Sequence, residues 1–283
     1  MNILTFDIEE WFHLLDHEGL KKEENWSNFE YRLESNVDRI LELLCRKNQK
    51  ATFFCLGWVA RRFPKVIKKI QTNFFEIGSH SDVHKLVYEQ NRNQFRDDLK
   101  KSLASIEDVT GVKCTSYRAP GFSIKDENKW VFKELINQGI KIDCSIFPAK
   151  RAHGGFESFT KSEPCLINFG NKSIKEFPIN VFNFLNYPLI FSGGGYFRML
   201  PYKFIRQLVK KSDYVMTYFH PRDFDENQPI ISDLSIIRKY KSYVGLKYSF
   251  KNLEKLISEF EFIDLRNADR FIDWDKKAKI DFS

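Results

Sequence analysis

The chain has 283 residues, of which 42% are apolar and 29% charged, and its formal net charge is +7. This length and balance exclude a disordered segment and a miniprotein, and they fit one large domain or two small ones. The basic residues are dispersed in pairs with acids between them, which favours solubility or an anionic substrate. Because no basic stripe is interleaved with aromatic residues, we expect no nucleic-acid partner.

The start of the chain lacks the basic segment, apolar run and cleavage site of a signal peptide. The longest apolar stretches, such as residues 181–191, are broken by polar residues well before the ~20 residues that a membrane span needs. The five cysteines are odd in number, widely spaced and without a C-x-x-C pair. We therefore expect no membrane span, reduced thiols and a cytoplasmic protein.

Apolar periodicity predicts short strands that alternate with helices along the chain. Residues 2–8 are predicted as a buried strand that ends at an acid. Further strands are predicted at 51–56, 74–78, 115–118, 141–144, 174–178 and 214–220. The predicted helices cover 31–47, 59–70, 91–109, 127–138 and 202–211, and a last helix and strand span 253–265.

This alternation predicts a parallel α/β architecture, either a (β/α) barrel or a doubly wound sheet. No GxGxxG or P-loop follows the first strand, which argues against a nucleotide-binding doubly wound fold. We predict a single-domain distorted (β/α) barrel of seven or eight strands over residues 1–273. Residues 147–196 are predicted as a loop-rich insertion over one end, where a substrate groove would be built, and residues 274–283 as a peripheral charged tail.

Four predicted strands end at residues that can carry chemistry, namely Asp7, His80, Arg118 and His220. In a barrel, residues at the carboxyl ends of the strands converge on one face. Each of them alone has a structural explanation, as a turn residue or a core histidine. Four complementary residues at equivalent positions instead favour a catalytic site.

The sharpest local pattern is His80 and His84, four residues apart after a Gly-Ser pair. If this segment winds into a helical turn, both imidazoles face the same way and can bind one divalent metal. Asp7 and Glu9 project to one face of an extended segment, so that one carboxylate can bind the metal and the other stand beside its water. Two histidines and one carboxylate suit Zn²⁺, Co²⁺, Mn²⁺ or Fe²⁺.

These residues resemble the motifs of the polysaccharide deacetylase family, also called the NodB homology domain or carbohydrate esterase family 4, over about residues 3–265. The first motif has the D-x-[DE] form of the cytoplasmic and exopolysaccharide-locus branch. The motifs follow in the family's order as Thr5-Phe6-Asp7-Ile8-Glu9, His80-Ser81-Asp82-Val83-His84, Arg118-Ala119-Pro120, Asp143 and Tyr218-Phe219-His220-Pro221.

The resemblance implies one divalent metal, usually zinc, with cobalt, manganese or iron as alternatives. Its ligands would be Glu9, His80 and His84, and Glu10 is the alternative carboxylate. The ligand at Glu9 departs from the family's usual Asp, since its side chain is one carbon longer.

The resemblance also implies the catalytic roles. Asp7 would be the base that activates water, and Arg118 would orient Asp7 and hold its charge. His220 would stabilise the tetrahedral intermediate and protonate the departing amine, with Asp143 as its orienting partner. A backbone N–H near Gly121 would share the oxyanion with the metal.

Gly121 stands where many family members carry a Tyr, so the substrate-side wall is expected to use other residues. The candidate substrate-binding residues are Trp11, His13, Gly121, Phe122 and Tyr196. The segment 193–198, Gly-Gly-Gly-Tyr-Phe-Arg, resembles a Gly-rich segment of the exopolysaccharide branch and could shape the sugar site or form a flexible turn.

The implied activity is removal of an N-acetyl or N-formyl group from an amino sugar of a surface polysaccharide or of its lipid- or nucleotide-linked precursor. Two alternatives remain open. One is an allantoinase-like amidase of small cyclic substrates, and the other is a non-catalytic sugar-binding homologue. Retention of Asp7, His80, His84, Arg118 and His220 argues against a degenerate domain.

Overall fold

The computed structural model describes residues 1–15, 17–150, 153–184 and 187–282. Its strands are β1 (Asn2–Ile3), β2 (Thr5–Ile8), β3 (Thr52–Cys55), β4 (Glu76–Ser79), β5 (Ser116–Tyr117), β6 (Ile142–Asp143), β7 (Cys165–Phe169), β8 (Lys172–Glu176), β9 (Phe182–Phe184), β10 (Tyr187–Leu189), β11 (Val215–Met216) and β12 (Lys279–Asp281). Its helices are α1 (Glu18–Lys21), α2 (Leu33–Arg46), α3 (Gly57–Arg62), α4 (Pro64–Thr72), α5 (Arg92–Thr110), α6 (Trp130–Asn137), α7 (Gly194–Met199), α8 (Tyr202–Lys211), α9 (Ile236–Tyr243), α10 (Leu246–Glu259) and α11 (Leu265–Phe271).

The central sheet has the strand order β12-β7-β8-β6-β5-β4-β3-β2. Every neighbouring pair from β2 to β6, and β6 with β8, is parallel, whereas β7 and β8 form an antiparallel hairpin. The predicted parallel α/β architecture is therefore confirmed. Parallel order places the carboxyl ends of β2, β4 and β5 at one edge of the sheet, where three of the predicted site residues follow.

Beyond β2 the sheet continues into the segment that leads to His220. The Asp7 N–H donates to the carbonyl of Phe219 over 2.7 Å, and β1 pairs in parallel with β11. Between this segment and β8, the Oδ1 atom of Asn180 accepts from the Met216 N–H and the Ser192 hydroxyl. No strand ladder within the described ranges closes the sheet at this point, so closure of the predicted distorted barrel is not confirmed.

The observed elements differ from the predicted ones in three places. The helix predicted at 59–70 is observed as α3 and α4, because Pro64 lacks the N–H that would continue α3 and instead occupies the first turn of α4. The segment 147–196, predicted to be rich in loops, carries two antiparallel strand pairs, β7–β8 and β9–β10. The strand predicted at 174–178 overlaps only the end of β8. The end of the chain adds β12, an edge strand that pairs with β7.

None of the helices in the described part of the chain combines the length and apolarity that a bilayer crossing requires. The five cysteines are free thiols, and all except Cys45 are buried.

Glu76 makes a testable contribution to the pH dependence of stability. Its buried carboxylate accepts hydrogen bonds from the Thr52 hydroxyl and the Arg266 N–H, both over 2.8 Å, and burial raises its pKa from 4.5 to about 7. The folded state therefore holds this proton more tightly than the unfolded chain, so this group lowers stability as the pH rises from 4.5 to about 7.

The Glu76→Gln variant keeps an oxygen for both donors but does not titrate. The quantity of interest is the free energy of unfolding of the variant minus that of wild type. We expect this difference to be about 1–3 kcal/mol more positive at pH 8 than at pH 5. Urea denaturation of both proteins at both pH values measures this difference. A difference between variant and wild type that does not change with pH would contradict the assignment.

Candidate active site

Glu9, His80 and His84 form a potential metal-ligand set. One ligand atom from each lies within 4.8 Å of the other two, and Glu9 Oε2 is 2.7 Å from Nε2 of His84. Glu9 follows β2 and His80 follows β4, so the parallel sheet brings them to the same edge.

Glu10 faces away from this set. Its carboxylate accepts the backbone N–H groups of Arg32 and Leu33 at the start of α2, over 2.9 and 3.0 Å. Burial raises the pKa of Glu10 to about 7, although these backbone donors oppose the shift. Glu10 therefore anchors α2, and the geometry favours Glu9 as the ligand carboxylate.

The three side chains are suited to a divalent cation. The Nδ1 atom of His80 lies 2.9 Å from the carbonyl of Arg118, which holds the proton on Nδ1 and leaves Nε2 available as a ligand. Burial lowers the pKa of His80 to about 4, so that the ring is neutral, as a metal ligand must be. Glu9 Oε2 is a buried oxygen that lies 2.7 Å from Nε2 of His84, and a shared cation would satisfy both of these ligand atoms.

The segment 80–84 is not the helical turn predicted from the sequence. Ser81 and His84 adopt left-handed backbone conformations, with φ of 73° and 58°, and the His84 N–H donates to the Ser81 hydroxyl. The two imidazole rings still meet, with centroids 5.3 Å apart. Strained non-glycine residues of this kind persist where surrounding contacts impose them, often at functional sites.

Contacts of Asp82 impose that conformation. Its buried carboxylate pairs with Arg61 and with Lys101, whose Nζ lies 2.8 Å away. Its N–H donates to Asp98, and its carbonyl accepts from the Trp58 N–H. The loop with both histidines is thus tied to α3 and α5.

Asp7 is paired with a fully buried arginine. Nη1 of Arg118 lies 2.7 Å from Oδ1 of Asp7 and 2.7 Å from the Thr5 hydroxyl, and its Nε donates to the Cys144 carbonyl. The guanidinium stacks over Phe54, 4.3 Å from the ring centroid. This permanent positive charge fixes and compensates the Asp7 carboxylate beside the metal-ligand set.

His220 completes the cluster. Its Nε2 lies 3.3 Å from Oε1 of Glu9 and 3.9 Å from Oδ2 of Asp7, and its Nδ1 lies 3.0 Å from Oδ2 of Asp223. Burial alone would lower the pKa of His220, but the negative charges of Glu9 and Asp223 and the hydrogen bond that the ring donates to Asp223 outweigh it and raise the pKa to about 9. The charged imidazolium is therefore the favoured form at neutral pH.

Asp143 does not orient His220, contrary to the sequence expectation. Its carboxylate accepts from the Ser145 hydroxyl and N–H, and the Ser145 hydroxyl in turn accepts from the Ala119 N–H. Asp143 therefore supports the loop that follows Arg118, at the carboxyl end of a neighbouring strand.

The partner of His220 is Asp223, a residue that the sequence reasoning missed. It lies three residues later, where its Oδ2 also accepts the His220 N–H over 2.9 Å. An acid at the third position of a short helical turn commonly returns to the residue that caps the turn, so the spacing His-Pro-x-Asp carried the signal. Arg198 holds the other oxygen of Asp223, with Nε 3.0 Å from Oδ1.

Two of the candidate substrate-binding residues belong to the core. Trp11 is buried against Phe12 and Phe29, and its indole N–H donates to the Glu30 carbonyl. Phe122 is also buried, with the Arg118 guanidinium carbon 5.6 Å from its ring centroid. Neither ring is available as a sugar platform in this arrangement.

The other candidates are placed differently. His13 and His84 both line a small cavity of about 40 Å³, and the buried Nε2 of His13 has no hydrogen-bond partner among the described residues. Tyr196 is 39% exposed on α7. Gly121 has a φ of 60°, a conformation that favours glycine, in the loop after Arg118.

The glycine segment 193–195 is a packing element at the start of α7. A Cβ at Gly194 would overlap the Asp223 carboxylate, and one at Gly193 would overlap the Tyr218 ring. A Cβ at Gly195 would meet no atom within 4 Å. The first two glycines therefore allow α7 to approach the residues that hold His220.

This difference predicts unequal effects of two alanine substitutions. We expect Gly194→Ala to displace Asp223 and to lower kcat by about 10- to 100-fold, as loss of an orienting partner commonly does. Gly195→Ala is the matched control and should stay within about twofold of wild type. Steady-state kinetics and thermal melts of both variants measure the effects, and equal kcat values for the two would contradict this packing role.

Two family models match consecutive parts of this chain. The family model described as polysaccharide deacetylase matches residues 17–139, and a model described as a domain of unknown function, DUF3473, matches residues 144–270. His80, His84 and Arg118 lie in the first match, whereas His220 and Asp223 lie in the second. Asp7 and Glu9 precede both matches, so the site combines residues from three parts of the chain.

The curated relatives match over short stretches. A peptidoglycan-N-acetylglucosamine deacetylase of Bacillus cereus is 30% identical over 97 residues, which are 34% of this chain and 35% of the relative. A peptidoglycan deacetylase of Helicobacter pylori is 30% identical over 118 residues, 40% of this chain and 38% of the relative. The chain thus matches little more than a third of these relatives.

Solved structures share the fold at low sequence identity. A Mycobacterium smegmatis protein with a provisional polysaccharide deacetylase assignment superposes with a TM-score of 0.68 at 17% identity, covering 100% of this chain and 93% of that one. A carbohydrate esterase family 4 pseudoenzyme from Bacillus anthracis gives 0.50 at 16% identity, covering 100% and 69%. The fold therefore does not decide turnover, and the polysaccharide deacetylase family model matches residues 17–139, less than half of this chain.

Proposed function

We propose that this protein is a metal-dependent hydrolase that removes an N-acetyl or N-formyl group from an amino sugar. The observation that carries the proposal is the convergence of three arrangements at one edge of the sheet. These are the ligand set of Glu9, His80 and His84, the carboxylate of Asp7 held by Arg118, and the imidazolium of His220 held by Asp223.

A divalent cation held by Glu9, His80 and His84 would supply Lewis acidity that polarises the amide oxygen and the attacking water. Asp7 serves as the general base, because Arg118 fixes one carboxylate oxygen and leaves Oδ2 turned toward His220. It accepts a proton from the water that attacks the amide carbonyl carbon.

His220 serves as the general acid. Its Nδ1 is held by Asp223, so that Nε2 is the nitrogen directed at the reacting groups. The hydrogen bond to Asp223 and the negative charges of Asp223 and Asp7 raise the pKa of His220 and favour the protonated ring at neutral pH. Donation of that proton to the amine nitrogen allows the C–N bond to break. The products are a free amino sugar and a carboxylic acid.

The names of the relatives support an amino sugar as the substrate, since those proteins are called peptidoglycan N-acetylglucosamine deacetylases. We further propose that the acyl sugar belongs to a surface polysaccharide or to its lipid- or nucleotide-linked precursor. Five free thiols support a reducing compartment, such as the cytoplasm, where precursors are made.

Release of acetate or formate tests the proposal. Purified protein loaded with Zn²⁺, Co²⁺ or Mn²⁺ is incubated with peptidoglycan fragments, chitin oligomers, nucleotide-linked N-acyl amino sugars and a small cyclic amide. We expect acid release from an amino-sugar substrate by wild type and none by a His80→Ala/His84→Ala variant. Hydrolysis of the cyclic amide alone, or equal release by both proteins, would overturn the proposal.

A further inference from the structure

Helix α9 presents an unusual surface. None of its eight residues is buried, and Ile236, Ile237 and Tyr240 are 88%, 68% and 62% exposed. At 100° per residue these side chains span one arc of the helix. Ile230, which is 69% exposed, precedes the helix in a loop that the Tyr243 hydroxyl ties to the helix through Pro229 and Ile231. We call Ile230, Ile236, Ile237 and Tyr240 the α9 face.

Positive charge borders the α9 face. On the helical wheel, Lys241 lies at one side of the exposed arc and Lys239 at the other. Residues 229–251 hold five Lys or Arg residues against one Asp, a net charge of +4 out of +7 for the whole chain. Five basic residues thus lie in the segment that carries these exposed apolar side chains.

We propose that the α9 face binds the surface of an anionic phospholipid bilayer, with the isoleucines and Tyr240 inserted at the headgroup level and the lysines against the lipid phosphates. Apolar side chains flanked by Lys and Arg are typical of helices that lie in the bilayer interface. A protein partner fits less well, because Lys is depleted at protein interfaces. A second copy would place two faces of like charge against each other.

The carboxyl end of the helix that carries the α9 face is linked to the candidate active site through Arg198. Arg198, which holds Asp223, donates through Nη1 to the carbonyls of Ser242 and Val244 and through Nη2 to that of Lys241. The carboxyl end of α9 is therefore one side chain away from the residue that holds His220. Docking of this face would bring the site close to the bilayer, although binding itself does not depend on the proposed hydrolysis.

Cosedimentation with vesicles tests the proposal. We expect full-length protein to bind vesicles of phosphatidylcholine with phosphatidylglycerol at low salt, and to bind phosphatidylcholine vesicles at least about tenfold more weakly. Ile236→Ser/Ile237→Ser should lower partitioning to the anionic vesicles at least about tenfold. The matched control is Val112→Ser, since Val112 is 62% exposed and lies outside this face.

The charge contribution has its own pair of variants. Lys239→Gln/Lys241→Gln should weaken binding to anionic vesicles about tenfold or more, since each lysine near such a surface contributes roughly fivefold. Lys210→Gln/Lys211→Gln at the end of α8 changes the net charge equally and should have a smaller effect.

Two results would overturn the proposal. One is a failed binding test, in which wild-type protein does not bind anionic vesicles or the variants of the α9 face bind as well as their controls. The other is a concentration-dependent dimer in sedimentation velocity that Ile236→Ser/Ile237→Ser dissociates, which would assign the face to self-association. Thermal melts establish that the exposed substitutions leave the fold intact.

Discussion

Asp7→Asn is expected to lower kcat by about 10³-fold while the metal content of the protein stays at the wild-type level. Asn has almost the same shape but cannot take a proton from water, and removal of a general base commonly costs 10²- to 10⁴-fold. Asp7 is outside the ligand set, so the loss should not come from the metal. Kinetics on the substrate found by acid release, together with elemental analysis of the same sample, measure both quantities.

The control for this variant is Glu10→Gln. Glu10 is also a buried acid at the end of β2, but its carboxylate bonds to the start of α2 and not to the ligand set. A Gln oxygen can still accept both N–H groups, so we expect kcat within a few-fold of wild type. An Asp7→Asn protein that keeps its turnover, or that loses metal along with turnover, would contradict the role of Asp7 as base.

His220→Asn is expected to lower kcat by about 10²- to 10⁴-fold, and Asp223→Asn to change the pH profile. The wild-type rate should fall as the pH rises through the pKa of His220, at or below about 9, since a cation beside Glu9 offsets part of that residue's charge. Asp223→Asn removes a negative charge that raises this pKa, so the alkaline limb of kcat should move to lower pH.

Asp233→Asn is the matched control for the second prediction. It removes the acid from another His–Asp pair, that of His17 and Asp233, which lies 3.4 Å apart at the surface. Its pH profile should coincide with that of wild type. An Asp223→Asn profile with an unshifted alkaline limb would mean that Asp223 does not hold the charge of His220.

Much of the fold and most of the site followed from local sequence. Buried strands such as Thr52–Cys55 stand out as apolar runs, and parallel order then places Asp7, His80 and Arg118 at one edge of the sheet. The predictions that were wrong concern features that depend on contacts between distant segments. The left-handed conformation at Ser81 and His84 is imposed by Asp82 and its ion pairs, which no periodicity reveals.

The acid that orients His220 shows a second reason why a prediction from the sequence was wrong. Asp143 matched a family motif by position, but the structure uses it to support the loop after Arg118. Asp223, three residues from His220, fulfils the expected role, and Gly194 leaves room for its carboxylate. The role that the motif assigned to Asp143 is therefore filled by an acid close to His220 in the chain, which makes the expected hydrogen bond.

Elemental analysis of purified protein by mass spectrometry, on wild type and on His80→Ala/His84→Ala, tests the central claim most directly. We predict about one transition-metal ion per chain in wild type and none in the double variant, because Glu9 alone cannot retain it. Wild-type protein that is free of metal and does not take up added zinc would contradict the metal-dependent site on which the proposed function rests.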